Sequence, residues 1–226
     1  MSTNRGFELV IFDCDGVLID SELIAARAHT LALNKAGFAI SQADVMERFT
    51  GMTSAEMYAE LEAEFGRLIP DGHHDEVKRN VLVAYESDLT PIPGIHAVIS
   101  QLTTPKCVAS SSIPAKLEAG LIATNLHEFF APNIFSAVQV ARGKPAPDLF
   151  LYAAKQMGVN PAQCLVIEDS LAGTEAGVAA GMTTLGFTGG SHCPPDLAQR
   201  LLNIGATSTF SDMAQFPAIL ADLTPP

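Results

Sequence analysis

The hydrophobic pattern at the start of the chain predicts a short buried strand. Residues 8–12 read ELVIF, a short apolar run with β-branched residues, and the polar sequence DCDG at residues 13–16 ends it. Such a run, bounded by a turn sequence, is typical of a strand in a parallel sheet that is covered on both faces. We therefore expect the first strand to stop just before Asp13.

Residues 22–88 have the periodicity of helices instead. Glu22–Ala36 has helical spacing and stops at Gly37, a residue type that favours helix C-termini. Apolar residues then recur every four positions, first at Met57, Leu61 and Phe65 and later at Val77, Val81 and Tyr85. His73 and His74 follow a Pro-Asp-Gly sequence and are expected in an exposed turn. The segment is predicted to be a small helical domain without strands.

After residue 94 the pattern alternates between strands and helices. The predicted strands are Lys106–Ser110, Ile134–Val138, Leu165–Ile167, Thr183–Phe187 and Thr207–Phe210. One helix is expected to run through Leu126, and another to begin at Pro145 and end near Gly158. This alternation predicts an α/β fold, a doubly wound, Rossmann-like parallel sheet with helices on both faces. We expect an α/β core of residues 1–18 and 89–226, with an all-helical domain inserted at 19–88.

Composition and charge narrow the classes of function. Hydrophobic residues make up 48 % of the 226 positions, which is enough for a core, and the formal net charge is −12. No basic patch is visible, so we expect no nucleic-acid partner. Because no apolar stretch approaches ~20 residues and the N-terminus lacks a long apolar segment, we expect a cytoplasmic protein with no membrane partner. The four cysteines lack metal-ligand spacing and are expected to be free thiols.

Polar side chains follow several of the predicted strands. Asp13 and Asp15 follow the first strand, and a run of three serines, Ser110, Ser111 and Ser112, ends the second. Glu168 and Asp169 follow the strand at 165–167, and Arg142 and Lys144 lie in the loop after the third strand. In an open α/β sheet, ligands bind beyond the carboxyl ends of the strands. We therefore expect these groups to converge on one edge of the sheet.

The residue types at this edge suit phosphoryl transfer. Two or three carboxylates within ~4 Å would repel by about 4 kcal/mol per pair at an effective dielectric constant near 20, unless a cation or a shared proton intervenes. Their hard oxygen ligands favour Mg²⁺. Helix or turn capping is the alternative for the aspartates and serines, and a solvated charge is the alternative for Lys144. A carboxylate nucleophile, a divalent metal, a lysine and hydroxyl donors together suit chemistry at phosphorus.

Four motifs occur in a fixed order along the chain. They are DCDGVL beginning at Asp13, VAS ending at Ser110, GKPAPD containing Lys144, and VIEDS containing Glu168 and Asp169. In this order and spacing the chain resembles the haloacid dehalogenase superfamily, in its branch of small-capped phosphatases and β-phosphoglucomutases. The resemblance spans nearly the whole chain. It implies a metal-dependent enzyme acting on phosphate esters.

The resemblance also implies roles for individual residues. Asp13 would be the nucleophile that forms an aspartyl-phosphate, and Asp15 would protonate the leaving group and then deprotonate water. Mg²⁺ would be held by the Asp13 carboxylate, the Asp15 backbone carbonyl and Asp169, with Glu168 binding directly or through water. Ser110, Ser111 and Lys144 would bind the substrate's phosphoryl group.

The helical domain at 19–88 resembles the mobile cap of the family. Its expected substrate-binding residues are Arg48, Thr50 and Gly51, and closure of the cap would exclude water. Where the mutases carry a restraining His, this chain has Ala25, and Thr50 and Ser54 replace the Lys and Arg of the mutase cap loop. A second phosphate would find no cation at those two positions, although Arg48 could compensate.

Three functions follow, in order of preference. The first is a Mg²⁺-dependent phosphatase acting on a small phosphorylated metabolite, a sugar phosphate or a phosphorylated sugar acid such as 6-phosphogluconate. The second is a β-phosphoglucomutase-type sugar-phosphate mutase, and the third is a non-catalytic regulator that binds a phosphorylated ligand. Asp15 argues against carbon–halogen cleavage, because the dehalogenases of the superfamily lack this second aspartate. We expect a monomer or a weak homodimer.

Overall fold

The computed structural model describes residues 6–49 and 54–223. The chain divides into two compact units, the first formed by residues 1–20 and 90–226 and the second by residues 21–89. The helical segment expected at 19–88 differs from the second unit by two residues at one end and one residue at the other. No helix in the described part of the chain has the length and apolar composition needed to cross a bilayer.

The first unit is built on a six-stranded parallel sheet. Its strands are β1 Leu9–Phe12, β2 Lys106–Ser110, β3 Ile134–Ser136, β4 Cys164–Glu168, β5 Thr183–Phe187 and β6 Ser208–Phe210. Their order across the sheet is β3-β2-β1-β4-β5-β6, and every pairing is parallel. This arrangement confirms the doubly wound α/β fold predicted from the alternating pattern.

One strand ends earlier than the sequence pattern predicts. We expected the third strand to extend to Val138, but β3 ends at Ser136. The Ser136 side chain accepts a hydrogen bond from the Val138 amide, and the Gln139 side chain accepts one from the Ser136 amide, so the two residues form a capping box. The chain therefore turns into a 3₁₀-helix at Ala137–Gln139.

The register of the central strands brings the predicted site residues to one edge. Phe12 of β1 is opposite Val108 of β2 on one side and Ile167 of β4 on the other. The Asp13 amide continues this ladder with a 3.0 Å hydrogen bond to the Ile167 carbonyl. Because the strand order reverses direction between β1 and β4, Asp13 lies at the topological switch point, where ligands bind in sheets of this kind.

Helices flank the sheet in the first unit. They are α5 Ile95–Gln101, α6 Pro114–Ala123, α7 His127–Phe130, α8 Asp148–Met157, α9 Leu171–Ala179, α10 Leu197–Ile204 and α11 Phe216–Asp222, numbered in chain order after the helices of the second unit, which are described below. One core lies between the sheet and helices α8 and α9, where Leu149, Phe150 and Ala176 are buried against β1, β2 and β4. All four cysteines are free, and three of them are buried.

Two helix boundaries differ from the sequence expectation. Helix α8 begins at Asp148 rather than at Pro145, because Ala146 precedes a second proline and a residue in that position is disfavoured in the helical region. The helix expected to run through Leu126 ends earlier, because α6 stops at Ala123 and α7 begins only at His127. Between them, Asn125 has a positive φ of 55°, which ends the first helix.

The second unit is entirely helical in its described residues, 21–49 and 54–89. Its helices are α1 Glu22–Lys35, α2 Gln42–Phe49, α3 Ser54–Phe65 and α4 His73–Tyr85. They enclose a separate core that includes Leu33, Phe38, Phe49 and Leu61. The expectation that His73 lies in an exposed turn is wrong, since this residue is the first of α4, is buried, and packs its ring edge-on against Tyr58.

Candidate active site

Lys144 joins two carboxylates at the end of the central strands. Its Nζ atom is 2.6 Å from Asp13 Oδ1 and 2.6 Å from Glu168 Oε1, and it also donates to the Ala109 carbonyl at 3.0 Å. The lysine side chain is only 4 % exposed, and both carboxylates are buried. The ammonium group, which has three donors, is therefore fully engaged between β1, β2 and β4.

Asp169 completes a cluster of three buried carboxylates with Asp13 and Glu168. One oxygen from each of the three lies within 4.8 Å of the others. Glu168 is held in place by its own turn, because its Oε2 atom accepts hydrogen bonds of 2.9 Å from the Asp169 amide, the Ser170 amide and the Ser170 hydroxyl. We call Asp13, Glu168 and Asp169 the acidic cluster.

Burial and charge both act on Asp13. Burial raises the pKa of this carboxyl, and although the Lys144 ammonium lowers it, the neighbouring charges of the cluster raise it further, so that the pKa lies well above its ordinary value. Burial alone would lower the pKa of Lys144, but Asp13 and Glu168 outweigh burial and raise it. Three carboxylates therefore face one ammonium group, and an excess of negative charge remains.

This excess of buried negative charge fits a metal site. The donors are hard carboxylate oxygens, and the acidic cluster contains no sulfur or imidazole ligand. Divalent cations with a preference for oxygen, such as Mg²⁺, bind to sets of this kind. The sequence prediction that Asp13, Glu168 and Asp169 could hold a metal together is consistent with their positions here.

Two glycines make room for the acidic cluster. A Cβ atom on Gly16 would lie 1.7 Å from Asp169 Oδ2, and one on Gly173 would lie 1.7 Å from Glu168 Oε1. Gly16 also has a φ of 79°, a backbone conformation that residues other than glycine rarely adopt. The carboxylates therefore approach the backbone at places where only glycine leaves space.

Asp15 has partners of its own. Its Oδ2 atom accepts a 2.6 Å hydrogen bond from the Ser112 hydroxyl, and its Oδ1 atom lies 2.9 Å from Lys116 Nζ. Ser136 in turn donates to the Ser112 carbonyl at 2.7 Å. Asp13 and Asp15 thus have different partners, because Asp13 is paired within the acidic cluster and Asp15 is held by Ser112 and by Lys116 of α6.

The remaining residues that the sequence predicted for the site do not all lie near the acidic cluster. Ser110 is buried at the end of β2 and accepts a hydrogen bond from the Ser112 amide, whereas Ser111 is exposed. Arg142 does not join the cluster, because it pairs with Asp148 beside it at the start of α8. Arg48 lies in the second unit, where it pairs with Glu64 and covers the Phe49 ring. Thr50 and Gly51 lie outside the described residues.

Sequence reasoning missed two charged residues near the carboxylates. Lys116 pairs with Asp15, and His192 lies with its Nε2 atom 3.1 Å from Asp169 Oδ2. Burial lowers the pKa of His192, but the hydrogen bonds and charges of Asp169 and Cys193 together outweigh burial and raise the pKa above the ordinary value. The only sequence signal for His192 is its place after β5, at the same edge of the sheet as Asp13.

Comparisons with known proteins agree with this fold. The haloacid dehalogenase-like hydrolase family matches residues 7–181 of the chain. The 6-phosphogluconate phosphatase of Escherichia coli K12 is 32 % identical over 213 residues, which cover 94 % of each chain. The β-phosphoglucomutase of Bacillus subtilis 168 is 33 % identical over 78 % of this chain and 81 % of its own length.

A solved structure is similar along nearly the full length of the chain. A haloacid dehalogenase family hydrolase from Deinococcus radiodurans R1, determined with bound phosphate and sodium, has a TM-score of 0.81 and 33 % identity, and the match covers 98 % of this chain and 99 % of that one. The chain belongs to the haloacid dehalogenase-like hydrolase family. The prediction of an enzyme that hydrolyses phosphate monoesters is confirmed at the level of its class.

Proposed function

We propose that the chain is a Mg²⁺-dependent phosphatase that hydrolyses a small phosphorylated metabolite through an aspartyl-phosphate on Asp13. The observation that carries the proposal is the acidic cluster at the switch point of the sheet, with one oxygen of each carboxylate within 4.8 Å of the others and Lys144 bonded to two of them. Asp13 extends from the end of a buried strand, so its carboxylate is held rigidly for attack.

Two displacement steps complete the reaction. In the first, an Asp13 carboxylate oxygen bonds to phosphorus while the ester oxygen leaves, and Asp15 gives its proton to that oxygen. In the second, water attacks the same phosphorus, Asp15 takes a proton from the water, and the bond between phosphorus and Asp13 breaks. The products are the free alcohol and inorganic phosphate, and both aspartates return to their starting states.

Charge control in these steps comes from residues around the acidic cluster. Asp13, Glu168 and Asp169 would hold Mg²⁺, which when bound supplies positive charge that neutralises phosphoryl oxygens. Lys144 adds a fixed positive charge beside the nucleophile. Ser112 and Lys116 hold Asp15, so the proton donor and acceptor has a defined direction.

The substrate class is inferred from relatives and from charge. Similarity to the Escherichia coli 6-phosphogluconate phosphatase covers 94 % of both chains and supports a phosphorylated sugar acid or sugar phosphate. The phosphate in the Deinococcus structure supports an oxyanion site in this fold. Since the chain carries a net charge of −12, local cations such as Lys144 have to offset the repulsion of an anionic substrate.

A sugar-phosphate mutase is the second candidate, favoured by the similarity to the β-phosphoglucomutase of Bacillus subtilis. Ala25 stands where the mutases have a His that restrains hydrolysis, and this position supports the phosphatase instead. Incubation with β-glucose 1-phosphate and a trace of the bisphosphate separates the two functions. Release of inorganic phosphate supports the phosphatase, and accumulation of glucose 6-phosphate supports the mutase.

A substrate panel tests the proposal as a whole. Phosphorylated sugars and sugar acids are incubated with the protein and Mg²⁺, and released inorganic phosphate is measured, with the Asp13→Asn variant as the matched control. We expect release from at least one sugar acid or sugar phosphate by the wild type and none by the variant. Equal release by both proteins would refute the role of Asp13.

A further inference from the structure

Two neighbouring residues of the loop after β5, Ser191 and His192, contact acidic side chains elsewhere in the first unit. The Ser191 amide and hydroxyl donate to Asp20 Oδ1 at 3.2 and 2.7 Å. At the next residue, His192 Nε2 lies 3.1 Å from Asp169 Oδ2. Both side chains of the second contact are only 6 % exposed, so His192 is a buried partner of one member of the acidic cluster.

Two glycines form the seat of the imidazole ring. A Cβ atom on Gly16 would lie 2.8 Å from His192 Cε1, and a Cβ on Gly190 would lie 2.8 Å from both Cε1 and Nδ1. Real Cβ atoms do not approach other atoms so closely, so a side chain at either position would displace the ring or the loop. The ring therefore occupies a site that the backbone on both sides leaves open for it.

The surroundings of the ring decide which nitrogen carries the proton. His192 Nδ1 is buried, and no hydrogen-bond partner for it exists in the described part of the chain. Nε2 faces Asp169, with the Cys193 sulfur further away at 3.8 Å. A buried N–H without an acceptor is costly, so a neutral ring keeps its proton on Nε2, and a charged ring has a proton there as well. In both states Nε2–H donates to the Asp169 carboxylate.

We propose that His192 is a positioning residue that orients the Asp169 carboxylate for binding a divalent cation. The inference rests on the metal site of the proposed function. A hydrogen bond from a buried donor restricts rotation of the carboxylate, so less order has to be created when the cation binds. The alternative is that the ring only fills space between Gly16 and Gly190, and in that case its hydrogen bond would not affect the cation.

Direct measurement of Mn²⁺ binding separates these two roles. Free Mn²⁺ is measured by electron paramagnetic resonance during titration of the protein, without substrate. Three variants are compared: His192→Leu has no donor, His192→Asn has an amide that is too short to reach the Nε2 position, and His192→Gln places its amide N–H near that position. His96→Leu is the matched control, because His96 also makes one hydrogen bond within the first unit, 2.8 Å from the Thr124 carbonyl, without contacting the acidic cluster.

The expected result is a graded loss of affinity. The dissociation constant for Mn²⁺ should rise roughly tenfold or more in His192→Leu and His192→Asn, as is usual when a residue that hydrogen-bonds to a metal ligand is removed. In His192→Gln it should stay within about threefold of the wild type. The His96→Leu variant should bind Mn²⁺ like the wild type. Thermal unfolding without metal identifies any variant that does not fold, and the Asn and Gln pair then decides the question without the Leu variant.

Each other outcome overturns a defined part of the account. Wild-type affinity in His192→Asn and His192→Leu would show that the hydrogen bond does not matter and would refute the inference alone. Equal losses in His192→Gln and His192→Asn would assign the effect to the shape of the ring and contradict the positioning role. A wild type that does not bind Mn²⁺ would refute the metal site of the proposed function, and the inference with it.

Discussion

Replacement of Lys144 by methionine tests the charge balance of the acidic cluster. Methionine has nearly the same length but no charge, so the packing against Phe150, whose ring centre lies 4.8 Å from the Lys144 Nζ atom, is largely kept. Asp13 and Glu168 then remain buried without the ammonium group that bonds to both at 2.6 Å. We expect a large loss in the free energy of unfolding, and the size of this loss should depend on pH.

The size of the loss follows from the geometry. Each 2.6 Å contact is worth about 6 kcal/mol of Coulomb attraction at an effective dielectric constant near 20, before the cost of desolvation is subtracted. Removal of one partner from a buried pair typically costs about 3–5 kcal/mol, because an uncompensated charge is left behind. We therefore expect Lys144→Met to reduce the free energy of unfolding by about 3–5 kcal/mol at neutral pH.

The loss should shrink in acid. Without Lys144, burial and the neighbouring carboxylates raise the pKa of Asp13 still further, since the ammonium is the contact that lowers it. A carboxyl whose folded pKa is raised favours the folded state below its unfolded pKa, and this contribution is lost as the pH rises through the folded pKa. The gap between variant and wild type should therefore be small near pH 4 and large near pH 8.

Urea unfolding in EDTA, followed by circular dichroism at several pH values, measures this gap. Lys35→Met is the matched control, because Lys35 makes a solvent-exposed pair with Glu76 and its loss should change stability little at any pH. A gap of the same size at pH 4 and pH 8, or no gap at pH 8, would contradict the charge argument.

Three further predictions concern single residues. Asp15→Asn keeps the shape of the side chain, so the protein should still fold, but kcat should fall by about 10²-fold or more, because the proton donor is lost; undiminished turnover of p-nitrophenyl phosphate would exclude that role. Gly173→Ala should abolish activity and lower the melting temperature, because the new Cβ would overlap Glu168. Gly143→Ala is the control and should do neither, because its Cβ meets only ordinary contacts. Equal activity and equal melting temperatures in the two variants would refute the steric argument. Burial lowers the pKa of His73, so the contribution of this residue to stability is present above pH ~6.5 and is lost as the pH falls through its folded pKa. His73→Leu should therefore flatten the decline of the melting temperature between pH 7 and 5. An unchanged slope of the melting temperature against pH would contradict this.

The sheet and the acidic cluster could be predicted because their signals are local. Each central strand is a short apolar run, and Asp13, Glu168 and Asp169 directly follow such runs. The parallel topology then brings strand ends to one edge, whatever the lengths of the connections. Knowledge of the alternating pattern was therefore enough to expect that residues 155 positions apart in the sequence would meet.

Contacts between loops could not be predicted in the same way. His192 reaches Asp169 because Gly16 and Gly190 leave space for its ring, and this depends on the paths of three separate loops. Lys116 reaches Asp15 from the first turn of α6, although the two residues are 101 positions apart. The early end of β3 depends on the cap formed by Ser136 and Gln139, a local arrangement that competes with the apolar pattern continuing to Val138.

Covalent phosphorylation of Asp13 is the central claim, and peptide mass spectrometry after a rapid acid quench tests it most directly. The protein is mixed with Mg²⁺ and a substrate from the panel, quenched within the first turnover, and digested. We predict the mass of one added phosphoryl group on the peptide that contains Asp13, and no such addition in Asp13→Asn. A turning-over enzyme that shows no phosphorylated peptide, or carries the phosphoryl group on another residue, would contradict the mechanism.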